Sequence, residues 1–162
     1  MSPVEVWPVP NTDLREPLRL LEQWLREGEP VPDGFLREMR HQVDAGHLEF
    51  LAGHLEGRMV GVLVLAFRPN VSLGSTFASI EDLYVRPEAR RLGVGTALLR
   101  AADDRCRERG VSYLEAQVEE DSVEFLYAAS GYEVEPGTRV FSRSLVLRGN
   151  EDEVPSTSKP RT

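Results

Sequence analysis

Arg90 and Arg91, followed by Gly93 and Gly95, stand at the head of an amphipathic run in "RPEARRLGVGTALL", residues 86–99. These residue types at this spacing suit the chemistry of an anion. Backbone N–H groups in the first turn of a helix have no intrahelical acceptor. The helix dipole adds partial positive charge at the same end, and together the two hold phosphates. A glycine lets another molecule come close to the backbone, and an arginine reaches phosphate oxygens as a fork. A solvated, charged turn would have the same composition, so a lone Gly-x-Gly pair does not separate the two readings. The spacing G-x-x-x-x-G-K-[ST] is absent, and no third glycine completes G-x-G-x-x-G.

Just upstream, Glu81 and Asp82 lie between "FASI" and "LYV" in a stretch that reads as a strand, where acidic residues are uncommon. Neighbours in a regular strand point to opposite faces. Only one of the two carboxylates would then line a given cleft directly.

Elements to position these groups can be read from periodicity. Val4 to Val9 alternates loosely, with prolines that suit an edge strand. Asn11 to Asp13 supplies helix-start residues, and Leu14, Leu18, Leu21 and Leu25 recur at helical spacing, with Pro17 in the first turn. A second helix is expected over Phe35 to Ala45, ended by Gly46. His47 to His54 and Met59 to Phe67 form a hairpin through "LEGR", and Phe77 to Val85 is a third long strand. Gly93 to Arg109 carries an apolar stripe of Val94, Ala97, Leu98, Ala101, Ala102 and Cys106, with Gly110 at its stop. Then follow a strand in "VSYLEAQV", a short helix Ser122 to Ser130, and strands over Tyr132 to Val134 and Arg139 to Leu147. That order implies an α/β (α+β) fold: one mixed, largely antiparallel sheet of about seven strands flanked by helices. The domain is expected over residues 1–147. The polar residues 148–162 are expected to be a disordered tail.

Bulk properties narrow the function. The 162 residues are 41% hydrophobic and carry a net charge of -8, from 27 acidic and 19 basic residues. That balance argues against nucleic-acid binding, which depends on Lys and Arg neutralising phosphates, and leans towards a cationic partner. Cys106 is alone, so there is no internal disulfide and no cysteine-based zinc site; its place on the apolar stripe reads as buried and inert. His41, His47 and His54 form no metal motif, so no metal is expected. No run approaches the roughly 20 apolar residues of a membrane span, and "MSPVEVWPVP" has no signal-peptide pattern. A cytoplasmic protein with no membrane partner is the expectation.

"VRPEARRLGVG" resembles the acetyl-CoA signature of the GNAT acetyltransferase superfamily, [RQ]-x-x-G-x-[GA], on Arg90, Gly93 and Gly95. "LEGRMVGVLVL" is similar to the family's second and third strands, and "EFLYAASGYE" resembles its short helix ending in Tyr-x-x-x-Gly-[FY]. The likeness spans most of residues 47–147. It implies that acetyl-CoA serves as co-substrate, with its pyrophosphate on the amides around Arg91, Leu92, Gly93, Val94, Gly95 and Thr96. Its pantetheine arm would lie along Leu83, Tyr84 and Val85, with the Val85 N–H at the acetyl carbonyl.

The resemblance also implies who moves protons. An alkylammonium must lose a proton before it can attack. Tyr127 aligns with the family's general acid, a phenol beside the coenzyme sulfur. "IEDLYVRPEAR" is similar to the polyamine/diamine N-acetyltransferase branch, where the glutamate of Glu-Asp acts as base. Glu81 is therefore the expected base, with Asp82 second. The pattern departs at Glu120, where many relatives carry Asn; Asp121 or Ser122 would then cap the helix.

No Ser-His-Asp arrangement is suggested, so direct attack is expected, with no acyl-enzyme. The implied acceptor is a small cation: a polyamine, a diamine or an aminoglycoside-like amine. A protein N-terminal or lysine acetyltransferase and a non-catalytic acyl-CoA-binding module remain alternatives. Many members dimerise through their last strands, which makes a homodimer an expectation of the resemblance.

Overall fold

A computed structural model describes residues 2–147; the tail expected over 148–162 lies outside the described residues. These residues fall into two units, 2–118 and 119–147, each considered by itself.

The first unit is built on a five-stranded sheet in the order β1-β2-β3-β4-β5. The strands are β1 Glu5–Pro8, β2 Leu48–Leu55, β3 Arg58–Asn70, β4 Ser75–Val85 and β5 Leu114–Ala116. Neighbours are antiparallel from β1 to β4, and β5 joins β4 in parallel. The mixed, largely antiparallel sheet is the one the sequence implies, with five strands in place of seven.

The missing strands are those expected over Tyr132 to Val134 and Arg139 to Leu147; neither forms among the described residues. A strand needs a hydrogen-bonded neighbour and a layer to cover its apolar face. The second unit offers one helix of nine residues, α4 Asp121–Ala129. Val140, Phe141, Leu145, Val146 and Leu147 stay exposed. Apolar and β-branched content alone therefore does not make 139–147 a strand.

Helices cover both faces of the sheet. On one side lie α1 Arg15–Leu25 and α2 Asp33–Asp44. A 3₁₀ turn at Asn11–Asp13 precedes α1, and Pro17 falls in its first turn, where no N–H is needed. Leu14, Leu20 and Leu21 pack with Phe50, Ala52, Val62 and Val64, and Trp24, Leu25 and Tyr84 border that cluster. The connection from α1 to α2 is tied back by Glu22, a buried carboxylate whose Oε2 accepts the Val31 N–H at 2.6 Å. On the β1 side, the Trp7 ring stacks on His54 at 3.8 Å.

The other face belongs to α3 Val94–Glu108. Val94, Leu98, Leu99, Ala102 and Cys106 are buried along it; Leu99 joins the predicted stripe, while Ala97 and Ala101 are only half-buried. The helix comes close because β2 and β3 present glycines beneath it. A Cβ on Gly53 would meet Val94 Cγ1 at 3.1 Å, and one on Gly61 would meet it at 2.9 Å. The far end is clamped electrostatically. Arg105 forks onto Glu49, with Nε at 3.1 Å from Oε2, and Arg109 lies 3.5 Å from the Phe67 ring while donating to the Gly46 carbonyl.

Candidate active site

The second half of β4 departs from regular pairing. Asp82 opposes Val64 and Ile80 opposes Leu65, so Glu81 is the extra residue of a β-bulge. The alternation that would send Glu81 and Asp82 to opposite faces is broken there. Asp82 shares the face of Val64, the side covered by α1 and α2. The Glu81 carboxylate is 3.9 Å from the Arg68 guanidinium, and Arg68 lies across from Phe77 with its charge 5.1 Å from that ring. In β3, Val64, Ala66 and Arg68 alternate onto one face, so the bulge brings both carboxylates to the same side of the sheet. Expecting only one acid per cleft from strand geometry is therefore corrected.

Beyond the bulge, no strand pairs with the outer edge of β4 among the described residues of the first unit. Pairing with β5 covers Ala78, Ser79 and Ile80 and stops there. The Arg86 N–H donates to the Val60 carbonyl at 2.8 Å. In an antiparallel ladder this directs the N–H and C=O of Val85, and by alternation those of Leu83, away from β3 towards that outer edge. Two outward peptide groups flank Tyr84, whose ring stacks on Trp24 at 4.8 Å. The Trp24 Nε1 is buried and has no hydrogen-bond partner among the described residues.

The chain then turns through a second 3₁₀ segment, Pro87–Ala89, into α3. Arg90 is extended, Arg91 has φ 64 and Gly93 has φ 83, so the backbone twice enters the left-handed region before the helix begins. Gly93 is the N-cap residue, no side chain caps the helix, and its first turn holds no acid. The leading amides of α3 thus have no side-chain acceptor. A Cβ on Gly93 would meet nothing within 4 Å, so the approach to them is open. Arg90, also exposed, folds back on the strand: its Nε donates to the Val85 carbonyl at 3.1 Å, and its guanidinium lies 5.8 Å from the Tyr84 ring centre. Arg91 and Thr96 are exposed at the mouth.

Uncapped amides, left-handed backbone and exposed arginine together form the donor set a pyrophosphate needs. The outward peptide groups of Leu83 and Val85 suit an amide-bearing arm laid along the strand edge. The residues present therefore fit a coenzyme of that chemistry.

Tyr127 belongs to the second unit. It is buried on α4, and its ring meets Tyr132 edge-on at 5.2 Å. Glu120 is the N-cap residue of α4 without a side-chain cap bond, and Asp121 is the first helical residue. Within the first unit, the structure gathers Glu81, Asp82, Leu83, Tyr84, Val85 and the 90–96 loop at the end of one strand and the start of one helix.

Two residues near this site escape sequence reasoning. Arg68 and Glu115 flank Glu81's strand, with Glu115 4.0 Å from Arg68. The sequence places Arg68 in an acceptor-facing loop, Arg68 to Thr76, and Glu115 inside the strand of "VSYLEAQV"; β3 in fact runs on to Asn70, and the pairing of β3, β4 and β5 brings the two together. No group of three or more metal-ligating side chains occurs among the described residues.

Comparison with known proteins extends this picture. The profile of the acetyltransferase (GNAT) family matches residues 14–132. The aminoglycoside N(6')-acetyltransferase type 1 of Klebsiella aerogenes is 29% identical over 157 residues, covering 86% of this chain and 96% of that protein. An aminoglycoside acetyltransferase from an uncultured soil metagenomic sample, solved in complex with sisomicin, is similar at TM-score 0.77 and 19% identity, covering 88% of this chain and 97% of that one. The ribosomal-protein-alanine N-acetyltransferase of Brucella melitensis biovar Abortus 2308 gives TM-score 0.68 at 19% identity, over 86% and 99% of the two chains. At such identities the structural likenesses establish the fold.

Proposed function

The chain belongs to the GNAT family of acetyltransferases, and from that premise we propose that it acetylates an amino group of a small, multiply charged cation with acetyl-CoA as donor. The acceptor is of the aminoglycoside or polyamine kind. One observation carries the reading. The outer edge of β4, with the outward peptide groups of Leu83 and Val85, runs directly into the uncapped start of α3 at Gly93. A long ligand with amides at one end and a pyrophosphate at the other finds donors in that order.

Each residue then has a task. The amides of Arg91 to Thr96 hold the pyrophosphate, and Arg91 adds charge. Arg90 braces the loop through the Val85 carbonyl. The Val85 N–H faces the edge and receives the developing negative charge on the acetyl oxygen. Glu81, on the bulge, takes a proton from the acceptor ammonium, directly or through water, with Asp82 beside it. The freed nitrogen attacks the carbonyl carbon, the C–N bond forms and the C–S bond breaks. Tyr127, assigned by its motif, gives its proton to the departing sulfur. The catalytic domain spans residues 1–147.

Support for the acceptor class comes from the net charge of -8 and two carboxylates on one face, and from the relatives' aminoglycoside chemistry. The test is free-thiol release from acetyl-CoA against sisomicin, spermidine, amino acids and short peptides. Turnover with a multiply charged amine, lost in Tyr127→Phe while acetyl-CoA still binds, supports the reading. Turnover confined to peptides would replace it with protein acetylation. Binding of acetyl-CoA without turnover on any amine would point to a non-catalytic module.

A further inference from the structure

Among the arginine–carboxylate pairs of the first unit, those of Arg105 and Arg68 are built differently. Arg105 forks onto Glu49, whose side chain is 13% exposed, at hydrogen-bond distance. That pair joins α3 to β2 and is made to persist. Arg68 lies 3.9 Å from Glu81 and 4.0 Å from Glu115, beyond hydrogen-bond range, with 54% of its side chain exposed. Ion pairs of that length in solvent hold weakly and are easily exchanged.

What surrounds the Arg68 guanidinium is a set of groups that would hold any cation. Glu81 stands on one side and Glu115 on the other. The ring of Phe77 lies 5.1 Å away, and an aromatic face attracts an ammonium as it does a guanidinium. The set spans three strands. Arg68 opposes Phe77 across β3 and β4, and Glu115 opposes Ser79 across β4 and β5. It adjoins the bulge that carries Glu81.

We propose that Arg68 is an internal stand-in for an ammonium group of the acceptor, and that Glu115 is a second carboxylate of the acceptor's cation subsite. This inference rests on the acceptor reading given above. An acceptor with two ammonium groups displaces the guanidinium, setting one amine at Glu81 and the other at Glu115 over Phe77. An amine with one charge takes only the Glu81 contact and leaves the guanidinium on Glu115, so it competes with Arg68 less.

The experiment compares initial rates for wild type, Arg68→Gln, Glu115→Gln and the double variant, with spermidine, sisomicin and butylamine as acceptors. Arg68→Gln is expected to lower KM for spermidine and sisomicin about three- to tenfold. That fall exceeds any change in kcat, KM for butylamine moves less, and KM for acetyl-CoA stays the same. Glu115→Gln raises KM for the two polyvalent amines, and the double variant loses the gain. A rise in their KM in Arg68→Gln, an equal shift for butylamine, or a uniform loss of kcat overturns the proposal. Wild type that turns over neither polyvalent amine sinks the acceptor reading together with this one. Wild type that turns them over with KM unmoved in Arg68→Gln sinks this inference alone.

Discussion

Val94 Cγ1 sits 2.9 Å from the place where a Cβ on Gly61 would stand, so the start of α3 rests on bare backbone. Val94 is β-branched and has little rotameric freedom in a helix. The Tyr84 carbonyl, 3.2 Å from the same point, closes the other escape. Gly61→Ala is expected to destabilise the chain by about 1–3 kcal/mol, the usual cost of overpacking. It should also weaken acetyl-CoA binding, because the amides that begin α3 move with Val94. Denaturant unfolding and calorimetric titration check the two effects. Unchanged stability would mean that α3 shifts freely.

At Gly93 the obstacle is conformational. Nothing lies within 4 Å of its absent Cβ, yet its φ is 83. An alanine in the left-handed region costs about 1–2 kcal/mol, and its methyl would project into the open approach to the amides. Gly93→Ala should therefore raise KM for acetyl-CoA more than it changes KM for the acceptor. The reverse pattern would place the coenzyme elsewhere.

Glu81 and Asp82 share a face, so pH–rate profiles have to separate their roles. Glu81→Gln is expected to lower kcat/KM by about a hundredfold to ten-thousandfold, the range for a lost general base, and to abolish the acid limb. Asp82→Asn should retain that limb with a smaller loss. An unaltered profile in Glu81→Gln would end its assignment as base.

Cys106 makes a prediction about pH. Burial, with Asp103 and Glu49 nearby, pushes its thiol up to about 11. The folded chain therefore keeps this proton after the unfolded chain has lost it. Stability should decline as pH rises from the ordinary thiol range, about 8.5, towards 11. At pH 8 the folded protein should react slowly with a thiol reagent and release one equivalent when denatured. Fast reaction in the folded state would contradict the burial. A slow thiol also leaves the coenzyme-release assay with little background.

How far the sequence could be read depended on whether a feature was local. The stripe from Val94 to Cys106 and the start of its helix at Gly93 are set by neighbours within a few residues, and both were legible. The bulge at Glu81 was not, because it exists only in the register between β3 and β4. That register reversed the inference that Glu81 and Asp82 must diverge. Arg68 and Glu115 are separated by 47 positions, the difference of their residue numbers, and meet only through two strand pairings. The stretch Arg139 to Leu147 shows the opposite failure. Its apolar and β-branched residues suit a strand, but a strand also requires a partner, which residues 139–147 cannot announce by themselves.

The chain's two tryptophans are both stacked, Trp7 on His54 and Trp24 on Tyr84. The pairings make them unequal spectroscopic reporters. Trp24 emits from beside the strand end where the donor would lie, while Trp7 emits from the β1–β2 pair. In a Trp7→Phe protein, one intrinsic fluorophore would remain to register any disturbance of Tyr84. Ligand arrival could then be followed optically, without a label and before any bond is made.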